Sequence, residues 1–429
     1  MIFYISIILV SLVLLVSLFS STYKYPLLAF MLCVPVVDAA WSYRFGEFSI
    51  IYVLDSAFIL IFLLRILLKR EKIYSFPFFN LFLAYFLILV LASIYIAMNS
   101  GALTALDFFS KSLYMPLAFY WFSTNFNDQK DLKLLVSIFI LSGLFPLFFT
   151  LLQKITGHVW VIQVSRGLVR NVGLYHDIVS TRIFLMQTVL GIALYWHYFL
   201  KKDKTIKRLA LAFLFSLSIL GLYLLYSKAT TTILVLWTLT YALLRRKMYL
   251  LPLALVIVFL VNAATGNRVY TEVNQVFSRE TEYMRGEVET KYVLAGRGGV
   301  WQMYLQRWSD LPLIRKFIGD GVSHGYFHND FLRILFSGGI LLAIGFYTIA
   351  IALVLRLIRK YWGKRGFIQF AAMLAVIWYF VESIGQLPGL YPDLQPIVWG
   401  LAALALNPNL FFNACPSKRI QLISHHPNL

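Results

Sequence analysis

Long apolar runs recur along the whole chain, and they restrict its fold more than any other feature. Thirteen stretches are long enough, or nearly so, to cross a bilayer: about 2–20, 25–40, 49–68, 77–98, 103–123, 132–155, 178–200, 207–226, 229–244, 249–264, 328–355, 367–386 and 392–410. Each is apolar on all sides and not along one stripe, which excludes helices that lie against a water-filled surface. The composition agrees. With 60% hydrophobic residues and a mean hydropathy of +0.76, a soluble domain has no means of hiding its apolar surface. No internal repeat, low-complexity tract or Pro/Gly/Ser-rich linker divides the chain, so residues 1–429 read as a single transmembrane domain. The expected fold is an all-α polytopic helix bundle.

A net charge of +19 would suit a nucleic-acid partner, but its distribution argues for none. The basic residues sit in short clusters between apolar runs, as topology signals do. The clusters are Lys69, Arg70 and Lys72; Lys201, Lys202, Lys204, Lys207 and Arg208; Arg245, Arg246 and Lys247. Two more are Arg356, Arg359, Lys360, Lys364 and Arg365, and then Lys418 and Arg419. All fall on one side if the later runs each cross once, and that side is expected to be cytoplasmic. The loops at about 156–177 and 265–327 then face outward. Twelve spans are expected, because the run at 25–40 is short and holds Pro26, Pro35 and Asp38; a thirteenth would place the N-terminus outside. Met1 to Phe19 lacks a basic leader and a small-residue cleavage site, so it reads as a retained first span. Cys33 and Cys415 form neither a disulfide framework nor a metal-ligand spacing. The loop at 265–327 mixes seven acidic with eight basic residues and interleaves aromatics, a pattern of amphipathic helices on the membrane surface.

The residues able to carry chemistry gather in these outward stretches. In Gly321-Val-Ser-His-Gly-Tyr-Phe-His328-Asn329-Asp330-Phe-Leu-Arg333, a histidine stands at the mouth of an apolar run. There it can take a proton from a hydroxyl near neutral pH. The plain alternative is a histidine that caps or anchors a helix. His324 and His328 are four apart, a spacing that can hold metal on a helix, but Gly321 and Gly325 argue against a helix there. No metal is expected, and no Asp-x-Asp motif occurs. In Gly296-Arg297-Gly-Gly-Val-Trp301, glycines flank an arginine whose planar fork suits a phosphate. Ser227-Lys228 forms a short outer turn where lysine either binds an anion or snorkels to headgroups. Arg166 and Arg170 lie on the same side, and Glu382 sits near the outer end of the penultimate run. An intramembrane carboxylate of this kind can orient His328 or neutralise an arginine.

These motifs, in this order and on one side, resemble the bacterial O-antigen ligase and O-antigen polymerase superfamily. The family's His-Asn, nine residues, then Gly is matched by His328, Asn329, the stretch Asp330–Gly338, and Gly339. Leu342 stands where the family often has a small or aromatic residue. Gly-Arg-x-x-x-Trp is matched by Gly296, Arg297 and Trp301, and Arg-x-x-Gly-Leu by Arg170, Gly173 and Leu174. Ser227-Lys228 departs from the family's Ser/Thr-Arg; lysine keeps the charge and loses the bidentate fork. The likeness covers roughly residues 166 to 345.

The resemblance implies an inner-membrane glycosyltransferase, working at the periplasmic face without metal or cofactor, with inversion at the anomeric carbon. Its donor would be a glycan on undecaprenyl pyrophosphate. The acceptor would be a second lipid-linked repeat in a polymerase, or lipid A core in a ligase. A chain-length regulator is a candidate partner beside the membrane lipids. His328 would act as base, Arg297, Lys228 and Arg170 as pyrophosphate ligands, with Asn329, Glu382, Trp301 and Gly339 in support. The sequence His328 to Arg333 and the modest loop lean toward a polymerase. A protein O-oligosaccharyltransferase is a third member of the same class. From a different class, a lipid or polysaccharide transporter would show repeat symmetry and midplane polar groups, which this chain lacks.

Overall fold

The computed structural model describes residues 2–45, 48–69, 78–200, 204–321, 327–364 and 366–407. His324, Cys415 and the basic residues Arg70, Lys72, Lys201, Lys202, Arg365, Lys418 and Arg419 lie outside them. Every apolar run folds as helix. In order these are α1 (Ile2–Phe19), α2 (Lys24–Asp38), α3 (Ile50–Lys69), α4 (Phe79–Ser100) and α5 (Ala102–Asn125). The run at 132–155 breaks at Gly143 into α6 (Gln129–Ser142) and α7 (Leu144–Thr156). Next come α8 (Ile178–Tyr198), α9 (Thr205–Tyr223), α10 (Lys228–Leu244) and α11 (Leu250–Ala264). The long loop supplies α12 (Arg268–Met284), α13 (Arg297–Asp310) and the short α14 (Leu313–Ile318). The chain then closes with α15 (Asp330–Lys364), α16 (Phe367–Gly385) and α17 (Leu394–Leu406).

Strand content among the described residues is two small hairpins. One pairs β1 (Arg44–Phe45) with β2 (Phe48–Ser49). The other pairs β3 (Val164–Ser165) with β4 (Leu168–Val169). Its turn residues Arg166 and Gly167 both have positive φ (53° and 78°), the backbone sense that matches strand twist.

Among the described residues, eight helices are long and apolar enough to cross a membrane, or nine if α11 and α12, bent by 106°, count as one. Helix is the form such segments must take, because every backbone N–H and C=O needs a partner where water is absent. Burial grades from centre to rim. All of α17 and most of α8 and α16 are buried, whereas α11 is apolar but for Asn262 near its end and has no buried residue. An uncovered helix of that composition is stable only against lipid. The chain is therefore an all-α polytopic membrane bundle.

Polar side chains inside the bundle are used to join helices. Gln187 donates to Ser142 (3.0 Å), Gln369 to the Ala405 carbonyl (3.0 Å) and Trp237 to the Leu374 carbonyl (2.8 Å). At one end Arg65 donates to the carbonyls of Ser17 (2.8 Å) and Ser20 (2.7 Å), and Lys24 pairs with Asp131 (2.6 Å). At the other end the Ser6 hydroxyl donates to the Val36 carbonyl (3.3 Å), so α1 and α2 run antiparallel along their lengths. The long loop folds against that second end: Tyr223 donates to Glu272 and Gln275 to the Arg166 carbonyl.

Candidate functional site

Three helix N-termini and one C-terminus meet at the loop-bearing end. Asp177 caps α8, accepting from the amides of Val179 (2.8 Å) and Ser180 (3.0 Å). Ser227 caps α10 through the amide of Thr230 (3.3 Å). Asn329 caps α15 through the amide of Leu332 (3.0 Å). Each residue type is a strong N-cap, and each cap turns the positive end of a helix dipole toward the same region.

Arg182 ties these ends together. It is 1% exposed and lies in the second turn of α8. Its guanidinium donates to Glu382 of α16 at 2.5 Å and to the Ser227 hydroxyl at 2.7 Å. Trp378 donates to the second Glu382 oxygen (3.2 Å). Glu382 thus neutralises an arginine and does not orient His328. The sequence reading passed over Arg182 because it sits inside an apolar run; an arginine in such a run was itself the available signal.

Arg297 opens α13, after a left-handed Gly296 (φ 86°). Trp301 follows four residues later on the same helix face. Its indole donates to the Phe327 carbonyl (3.3 Å), and Tyr304 packs against the Phe327 ring, tilted by 56°, with centroids 4.2 Å apart. These contacts fix the start of α13 against the residue that precedes His328. The Arg297 side chain also reaches the end of α16: a Cβ on Gly385 would lie 2.8 Å from its Nη1. One residue earlier, the Ile384 carbonyl accepts from Asn329 (3.3 Å).

His328 is exposed and holds φ at 47°, a conformation rare for a residue with a Cβ. The neighbours on either side hold it there, Phe327 buried under Trp301 and Tyr304, and Asn329 fastened to two backbones. Desolvation, then the positive charge of Arg297, lowers its pKa from the ordinary 6.5. Arg170 belongs to the same group. Desolvation, then Arg182 and Arg297, holds its guanidinium below the usual value, and its Nε is buried without an acceptor. Arg297 is lowered by desolvation first and Arg182 second. Among the described residues neither Arg170 nor Arg297 makes an ion pair.

Lys228, within reach of the charge of Arg297, is itself paired. Both carboxylate oxygens of Glu280 lie 2.6 Å from its Nζ, which ties α12 to the turn before α10. Gly339 is a shaping residue. It breaks α15 with φ 69°, and a Cβ there would lie 2.2 Å from the Phe317 carbonyl, so the end of α14 packs directly on the backbone. Asp330, buried, pairs with Arg333 (2.5 Å) and accepts from Tyr379 (3.0 Å), anchoring the first turn of α15.

The result is a group of the buried Arg182 and the half-buried Arg170 and Arg297 beside an exposed histidine, with one carboxylate, Glu382, paired within it. Such an excess of fixed positive charge suits a polyanion, and the adjacent neutral imidazole suits proton removal. The chain matches no protein-family model and no curated protein.

Proposed function

We propose that the chain transfers a glycan from a polyprenyl pyrophosphate to a sugar hydroxyl, as an O-antigen polymerase does. The observation that carries this reading is the pair Arg170 and Arg297, neither of which makes an ion pair among the described residues, with the charge of Arg297 acting on both Arg170 and His328. Pyrophosphate leaves well once its growing charge is met by preorganised cations. Arg297 and Arg170 take that task, with Arg182 contributing its field while paired to Glu382. The acceptor oxygen attacks the anomeric carbon as the bond from that carbon to phosphate oxygen breaks. The hydroxyl proton passes to His328, and the electron pair leaves with the lipid pyrophosphate.

The reading places the bundle in a bacterial inner membrane, with the arginine cluster on the periplasmic side. The antiparallel α1 and α2 support thirteen crossings over twelve, with the N-terminus outside. The acceptor we assign is a lipid-linked repeat, on the likeness of His328 to Arg333 to polymerases.

Turnover of lipid-linked glycan in proteoliposomes tests the chemistry. His328→Ala should abolish transfer in a protein that still folds, and Arg297→Gln should weaken donor binding as well. Full activity in His328→Ala would sink the assignment. A deletion strain tests the acceptor: single-repeat lipopolysaccharide supports a polymerase, whereas bare core with stored lipid-linked polymer makes the chain a ligase.

A further inference from the structure

A cavity of about 290 Å³ opens near the arginine cluster and has an opposite character. Asp38 at the end of α2, Asp55 in α3, Asp177 before α8 and Asp393 before α17 all line it. Asp38 and Asp55 are 8% and 3% exposed, and each keeps one buried oxygen, Oδ2, with no hydrogen-bond donor. The other Asp55 oxygen accepts from Tyr114 (3.2 Å). Buried acceptors without donors are costly and are rarely left so without a ligand or water to satisfy them.

Aromatic side chains form part of the remaining wall, beside Arg44, Ser49 and Ser180. Trp41 is held by its indole N–H, which donates to the Leu174 carbonyl (3.2 Å), and it lies against His176 with ring centroids 5.6 Å apart. Tyr52 carries Lys111 Nζ over its ring at 4.1 Å, and that ammonium is already paired with Asp107 at 2.7 Å. His176 is likewise engaged with Asp177 (3.2 Å). Arg44 also lines the cavity, and His176 and Lys111 have carboxylates of their own; among the described residues neither Asp38 nor Asp55 makes an ion pair, so both remain acceptors for whatever enters.

The cavity also adjoins the arginine site. Leu387 lines it and, on its other side, packs in the cluster that contains Phe327, the neighbour of His328. Tyr391, in the same wall, feels both Asp177 and the Glu382–Arg182 pair.

We propose that this cavity is a saccharide subsite, in which Asp38 and Asp55 accept hydrogen bonds from the hydroxyls of one sugar ring while Trp41 packs against it. A sugar supplies many O–H donors in a small volume together with apolar C–H faces, which is the complement of unsatisfied carboxylates beside aromatic rings. As the seat of a glycan ring near the reacting hydroxyl, the subsite rests on the transfer reading above; as a sugar-binding cavity it can be read separately.

Saturation-transfer NMR on the full chain in detergent, with methyl glycosides of neutral and amino hexoses as probes, tests it directly. The wild type and His328→Ala should both give signals with at least one glycoside. An Asp38→Asn, Asp55→Asn double variant, closely matched in shape, should bind at least tenfold more weakly while keeping its Tm within a few degrees. If that variant does not fold, Trp41→Ala replaces it and should show the same loss. No signal in the wild type, or equal signals in folded variants, overturns the subsite. A calcium- or sodium-dependent rise in Tm that needs both aspartates, without any glycoside signal, would make it a cation site and overturn the proposal too. Loss of transfer chemistry with intact glycoside binding would remove the proposed function and leave the subsite standing.

Discussion

At the scale of single residues, His328 shows how a position gains a role from its neighbours. Its pKa is lowered by desolvation and by Arg297, so the imidazole stays neutral, and able to accept a proton, to a lower pH than a free histidine. The acid limb of a pH–rate profile should then have its midpoint below 6.5, and Arg297→Gln should move it upward. The same depression has a sign for stability. The unfolded chain binds this proton more tightly, so stability from this group is full above the unfolded value and falls as pH drops toward the folded one. Arg182 and Glu382 give the second residue-scale expectation. Removing either partner strands a buried charge, at a cost of about 3–5 kcal/mol. Arg182→Met and Glu382→Gln should each lower Tm, and the double variant should lose less than the two singles together, as thermal unfolding in detergent will show. His328, Arg297 and Arg170 could be read from short motifs, because glycine and histidine at a helix mouth have few roles. Arg182 was hidden by its apolar surroundings, and its partner lies 200 residues away.

Among the elements, the junction of α13, α14 and α15 decides where His328 stands. Trp301 on α13 grips the residue before His328, and Gly339 lets α14 press on the broken turn of α15. Gly339→Ala adds a side chain at positive φ where there is no space, and should destabilise this junction by about 2 kcal/mol. Hydrogen exchange should quicken across residues 313 to 345 and stay unchanged in α5 and α17. Trp301→Phe keeps the ring and removes one hydrogen bond, worth about 1 kcal/mol. It should lower kcat more than Tm, since it loosens the placement of His328 without opening the bundle. Lys228 marks the limit of motif reading at this level. A lysine after a serine at a helix start looks the same whether it meets a phosphate or a carboxylate. Here α12 folds back and brings Glu280 to it, 52 residues along the chain.

For the whole molecule, the testable property is sidedness. In a background without Cys33 and Cys415, Met284→Cys at the end of α12 should react with an impermeant maleimide added to spheroplasts. Lys247→Cys, in the basic turn before α11, should react only after the membrane is opened. The reverse pattern would invert the assigned orientation and take the arginine cluster to the cytoplasmic face. That the chain lives in lipid and is built of helices was legible in its apolar runs, because a backbone without water must bond to itself and no soluble packing hides so much apolar surface. The runs also marked most of the apolar helices to within a few residues, except for the break at Gly143 and the end of α15, which continues nine residues past the expected 355 to Lys364. Which charges meet which was not legible. Arg182 with Glu382, Lys228 with Glu280, and the aspartates of the acidic cavity are brought together by the convergence of helix ends from distant parts of the chain. Hydropathy is a property of each segment alone, whereas an ion pair or a cavity belongs to the packing between segments.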